Sequence, residues 1–186
     1  MSHLNDIIKG KLLVAEPSTL MDKSFNRSII LIADNNDEGT VGFIMNKPTE
    51  FIVKDLIFDF DCDFRIYKGG PVETDNLYFI HKIPSLIPDA VEISEGLYWG
   101  GNYNAIKSYI EQGLIKKDEI RFFIGYSGWG KEQLELEIEE KTWKLVVNSY
   151  PNIFDINDAD EWKEKLFDMG GEYKIWANSP DDPTLN

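Results

Sequence analysis

The chain has one cysteine, Cys62, and two histidines, His3 and His81. A lone thiol forms no intramolecular disulfide, and no Cys or His stands at zinc-ligand spacing from His81. Basic side chains are also scarce. Nineteen Lys and Arg face 33 Asp and Glu, a formal charge of −14, and no basic run exceeds the two residues Lys116-Lys117. Nucleic-acid affinity comes mainly from cations that neutralise phosphates, so nucleic acid is disfavoured as a partner. No apolar run approaches the ~18 residues of a bilayer span. Met1 to Lys11 lacks the basic and apolar regions of a secretory leader. The expected setting is a reducing cytosol, with no membrane partner.

What the chain does have is apolar material for a core. Hydrophobic residues make up 42% of its 186 positions and aromatics 13%. A domain near this length hides roughly 70% of its unfolded surface, so neither disulfide nor metal is needed. The stretches Leu12–Ala15, Ser28–Ala33, Val41–Met45, Phe64–Tyr67, Leu77–His81, Ala90–Ile93 and Trp143–Val147 read as strands. Asp34 to Gly39 supplies turn chemistry, which predicts a hairpin over Ser28–Asn46. Ile120–Tyr126 is almost continuously apolar, as in a central strand covered on both faces.

Helices are fewer. Asn102 is placed to cap a helix running to about Gln112, stopped at Gly113. Asp158 and Glu161 resemble a capping box before a helix that puts Trp162, Leu166 and Met169 on one face. Gly130–Lys141 fits both periods, and its Gln, Leu and Glu content favours helix. The pattern is α+β, one domain over 1–177 with a polar tail over 178–186.

Few constellations carry chemistry. Gly125-Tyr126-Ser127-Gly128-Trp129-Gly130 sits between a strand and a helix, like a nucleophile elbow, but its fifth residue is Trp129 and both histidines precede the serine. Glycines that allow a tight turn explain it as well. Asp59, Asp61 and Asp63 alternate, so on a strand they would share a face. A solvated acidic edge is the simpler reading, and the positions of an EF-hand loop fail. Asn46-Lys47-Pro48 closes a strand and presents a cation there, while Gly69-Gly70-Pro71 reads as a turn that is not a Walker loop. Cys62 lacks a cationic neighbour in sequence and reads as a structural thiol.

Taken in order, Gly10–Ala15, Phe25–Ser28, Gly42–Pro48, Gly69–Val72, His81, Gly125–Gly130 and Gln133–Glu135 resemble the AlgH/YqgE family of uncharacterised bacterial proteins. The resemblance covers Lys9 to Val147 and reaches more weakly into Ser179–Pro183. It implies a cytosolic α+β protein whose barrel-like, bifurcated, mostly antiparallel sheet is surrounded by helices. It implies no established activity, cofactor or substrate. Some relatives are labelled transcriptional regulators of alginate production, a role that the charge and the lack of a helix-turn-helix oppose here. Many relatives carry Arg where this chain has Lys47, and Ala where it has Ser127, which argues against an essential serine nucleophile.

The expected function is therefore a non-catalytic module that binds a small molecule or protein. Asn46, Lys47, His81, Trp129 and Gln133 are the candidate ligand-binding residues. No catalytic residue, metal or cofactor is assigned, and self-association stays open. The alternatives are a hydrolase or transferase using Ser127 or a carboxylate pair, and a transcriptional regulator.

Overall fold

The computed structural model describes residues 7–180. Its strands are β1 (Leu12–Ala15), β2 (Ile29–Asn36), β3 (Gly39–Ile44), β4 (Pro48–Ile52), β5 (Arg65–Lys68), β6 (Val72–His81), β7 (Val91–Ser94), β8 (Leu97–Trp99), β9 (Ile120–Gly130) and β10 (Trp143–Val146). Its helices are α1 (Val53–Leu56), α2 (Tyr103–Glu111), α3 (Gln133–Glu139), α4 (Asp160–Met169) and α5 (Tyr173–Ala177). The main path of the sheet runs β10-β1-β2-β3-β9-β6-β8-β7, and β5 joins β9 while carrying β4 outside it. The pairing of β5 with β9 is parallel and the other pairings are antiparallel.

The sheet is not closed into a barrel, which corrects the barrel-like expectation. Its path ends at β10 on one side and β7 on the other. The reason lies in β9, whose two halves have different neighbours. Phe122, Phe123 and Ile124 have β5 on one edge and β6 on the other. From Ser127 onward the first edge passes to β3. A sheet that forks in this way spreads into two wings.

Glycine makes the fork possible. Since β5 and β6 flank the same stretch of β9, Gly69-Gly70-Pro71 must cross over that strand. A Cβ on Gly69 would stand 2.3 Å from the Gly125 carbonyl oxygen, and one on Gly70 2.2 Å from the Tyr126 carbonyl. Gly125 itself has φ +67°, where a side chain is strained. The Gly69 carbonyl accepts the Ile44 amide (2.9 Å) and the Ser127 hydroxyl (3.0 Å), tying β3, β5 and β9 together.

Local signals act as chemistry dictates. β2 and β3 form the expected hairpin, with Asn36 opposite Gly39. The Asn102 side chain accepts the Ala105 amide at 2.9 Å and starts α2, and Gly113 follows at φ 73°. Asp158 accepts the Asp160 amide at 2.9 Å; Ala159 is the cap residue of α4, so no capping box forms. Asp59, Asp61 and Asp63 lie outside the strands and face water, while Phe60 and Cys62 between them are buried.

Two apolar clusters cover the faces. One gathers β1, β2 and β3 with Phe123, Leu134, Trp143, Trp162 and Leu166. The other gathers Phe60, Ile66, Phe79, Ile106, Ile110 and Phe122. Phe122 and Phe123 thus point to opposite faces, as adjacent strand residues must, and the continuous apolar run of β9 follows.

Candidate functional site

Among the five candidates, Asn46 and Lys47 come together in one cleft. Asn46 is buried, accepting the Ile29 amide and donating to the Arg27 carbonyl, both at 2.8 Å. This clamp holds Arg27 at φ 55° and sets the start of β2. Lys47 follows at the end of β3, where its ammonium donates to the Ser24 carbonyl at 2.9 Å and to Asn26 Oδ1 at 3.4 Å. Arg27, Ala159, Asp160 and Lys163 complete a cleft of about 270 Å³. Burial, with the nearby Lys68 charge, pulls the Lys47 pKa down to about 8, against a weaker opposing pull from Asp22. No carboxylate touches Lys47 among the described residues.

Trp129 and Gln133 lie where β9 gives way to α3. Glu137 Oε2 accepts both the Trp129 and Trp143 indole N–H groups at 2.8 Å. Gln133 donates to Glu137 Oε1 and accepts the Gly130 amide, both at 2.9 Å. The Phe25 ring stacks on Trp129 at 6.3 Å. Trp129 therefore steadies, through Phe25, the same loop, residues 22–28, that receives Lys47 through Ser24, while Gln133 braces the turn from β9 into α3. Trp129 also borders a separate cleft of about 370 Å³ with Tyr126, Thr40 and Gly128.

His81 is apart from the others. It is fully buried at the end of β6, with Nε2 3.0 Å from the Gly100 carbonyl and Nδ1 accepting the Ile83 amide at 3.4 Å. Those partners require the proton on Nε2, and burial lowers the imidazole pKa. His81 pairs with Ile120 on β9, seven residues before Ser127. That spacing is about 23 Å along a strand, far beyond hydrogen-bond reach. Ser127 is fully buried, and its hydroxyl is spent on Gly69. The geometry supports no Ser127–His81 dyad. His3 lies outside the described residues.

Other chemistry-bearing groups are similarly engaged. Burial pushes the Cys62 thiol up to about 11, away from nucleophilic form. Asp63 pairs with Lys117 at 2.7 Å on the surface. Among the described residues no group of three His, Cys, Asp or Glu could hold a metal ion, and no helix is long and apolar enough to cross a membrane.

Arg121 escapes a pattern-based reading. It lies inside β9, only 6% exposed, and donates to the carbonyls of Met45 (2.9 Å), Ile156 (2.6 Å) and Phe154 (2.6 Å). Burial lowers its pKa to about 10. Its signal was an arginine inside an apolar run, a residue type seldom buried without a partner.

The comparisons agree with this architecture. The AlgH-like family model matches residues 12–174. The UPF0301 protein of Chlorobium limicola is 43% identical over 189 residues, covering the whole of both chains. That of Cytophaga hutchinsonii is 38% identical over 182 residues, 97% of this chain and all of its own. Among solved structures, the AlgH protein from Pseudomonas aeruginosa has a TM-score of 0.72 at 20% identity, covering 97% of this chain and 98% of that one. A Corynebacterium diphtheriae protein has a TM-score of 0.73 at 21% identity, covering 92% of each. Shared sequence over nearly the full length, carried on a shared fold, means that this chain belongs to the AlgH-like family.

Proposed function

We propose that the protein is a non-catalytic binding module, with a compact anionic group of a small molecule or protein partner seated in the Lys47 cleft. The observation that carries this reading is Lys47 itself, half-buried beside Lys68 and without a carboxylate in contact. An incoming carboxylate or phosphate would offset the desolvation that depresses its pKa. Arg27 lines the same cleft and adds positive charge, while Lys163 there is paired with Asp160 at 3.8 Å. Asn46 fixes the backbone beneath the ammonium, and Trp129 packs on Phe25 of the loop that receives it. His81 contributes from within the core by anchoring the Gly100 turn.

Ser127 and His81 are each committed to backbone partners, which favours binding over acyl-transfer chemistry. The test is calorimetric and NMR titration with inorganic phosphate and with acetate, using wild type, Lys47→Arg and Lys47→Met. Saturable binding that shifts the Lys47 side-chain resonances, survives in Lys47→Arg and drops at least about tenfold in Lys47→Met, a change of ~1.4 kcal/mol, is expected. Equal binding by wild type and Lys47→Met, or none at all, would remove the proposal.

A further inference from the structure

A further cleft, of about 400 Å³, has Arg121 in its wall, and Arg121 donates to the carbonyl of Met45, two residues before Lys47. That volume is in the range of small-molecule sites, roughly 300–1,000 Å³. Three features give it a defined chemistry.

The first is the state of Arg121. A guanidinium carries five N–H donors, and three bonds, all to backbone carbonyls, are made here. No carboxylate forms an ion pair with it among the described residues. A buried cation without a paired carboxylate keeps its charge at a desolvation cost, eased here by the field of Asp155. The second is aromatic. The guanidinium lies 4.0 Å from the Tyr67 ring centroid and 5.1 Å from that of Phe154, and both rings line the cleft. The third is the rim. Arg65 and Lys117 border the opening, with Asp118 and Asp155 as the acidic counterparts. Lys117 is paired with Asp63 at 2.7 Å, so in a chain of formal charge −14 this wall is close to charge balance, with Arg65 as its exposed cation.

We infer that this cleft is a binding site for a small planar molecule bearing one acidic group, a carboxylate or a phosphate. The acidic group meets Arg121 and Arg65, and the planar part lies against Tyr67 and Phe154. Ring faces attract planar groups and cations alike. Asn152, also in the wall, is committed through its Oδ1 to Lys82 and the Phe154 amide, so it shapes the cleft. This site stands independently of the Lys47 cleft.

The test uses the full chain and four probes: adenosine monophosphate, indole-3-carboxylate, adenosine and inorganic phosphate. Binding is followed by NMR, with the Tyr67 and Phe154 ring resonances as reporters. The two planar anions should bind saturably and shift those rings, with adenosine and phosphate at least about tenfold weaker there. Arg121 also supports the fold, so the main variant is Arg65→Glu at the exposed first residue of β5. It should lose at least about tenfold in affinity for the planar anions while its melting temperature stays that of wild type. Arg121→Lys keeps the charge but not the planar fork, and a folded variant should bind more weakly too. Equal affinity for the four probes, shifts confined to the Lys47 cleft, no saturation by about 10 mM, or unaltered binding in Arg65→Glu would each overturn the inference. Because Lys47→Met leaves this cleft intact, failure here and failure of the Lys47 site are separately readable.

Discussion

Replacing Lys47 by Met should change how stability depends on pH more than stability itself. The folded-state pKa of Lys47 is about 8, against 10.5 for the ordinary side chain. Between those values the unfolded chain binds more protons than the folded one, so stability rises with pH. The penalty for holding a charged lysine in the cleft is fully present below pH ~8 and is relieved as pH climbs toward ~10.5. Its ceiling is about 3 kcal/mol at 1.36 kcal/mol per pKa unit. Over the accessible interval from about pH 7.5 to 9.5, the gain is about 2 kcal/mol. Cys62 acts in the opposite direction. Its thiol moves from 9.0 up to about 11, so the folded state keeps a proton that the unfolded state loses, at a cost of about 1 kcal/mol by pH ~9.5. The readout is therefore a difference between two proteins. Urea denaturation of wild type and Lys47→Met at several pH values cancels Cys62, which both contain. The stability gap should move by about 2 kcal/mol in favour of wild type as pH rises over that interval. Parallel curves would show that the fold does not hold the Lys47 charge at a cost, and the case for an anion in its cleft would lose its physical basis.

Gly70→Ala should fail to give soluble folded protein, because its Cβ would stand 2.2 Å from backbone atoms of Tyr126; circular dichroism of a folded monomer with wild-type stability would refute the crossing geometry. Ser127→Ala should cost only about 1 kcal/mol in denaturant midpoints, since Gly69 keeps the Ile44 amide as a donor, and should leave ligand binding intact. Glu137→Ala strips two indole N–H groups of their acceptor and should cost about 2–6 kcal/mol, at about 1–3 kcal/mol per unsatisfied group, as measured by urea unfolding. Cys62 should react with a disulfide reagent only at the rate of unfolding, and rapid labelling in native buffer would contradict its burial.

Much of this architecture is written in local residue choices. The β2–β3 hairpin follows from short polar side chains and Gly39 at its turn, and α2 from Asn102 and Gly113. Elements without such punctuation were not visible. β4, α1 and α5 mix polar and apolar residues over five positions or fewer and β8 has three residues, so unlike the apolar run Leu12–Ala15 they show neither a run nor a period. The glycines of Gly69-Gly70-Pro71 announced a turn, but not that the turn passes over another strand, because that depends on β9, which comes later in the chain. For the clefts, the sequence marked Lys47 by its position after a strand. It marked Arg121 only as an arginine inside an apolar run, since the partners that define its cleft, Met45, Phe154 and Ile156, come from distant segments.

The arch between β5 and β6 also constrains how the molecule assembles. Two strands flanking a third stand about 9.6 Å apart, twice the spacing of neighbours in a sheet. The four steps from Lys68 to Val72 reach ~13 Å when extended, so the connection is nearly taut. During synthesis, β5 and β6 leave the ribosome with a vacant slot between them, their inner edges bare until Ile120–Gly130 is made. Closing the arch therefore waits for the strand it spans: the β9-facing groups of β5 and β6 have no partner until residues 120–130 are in place.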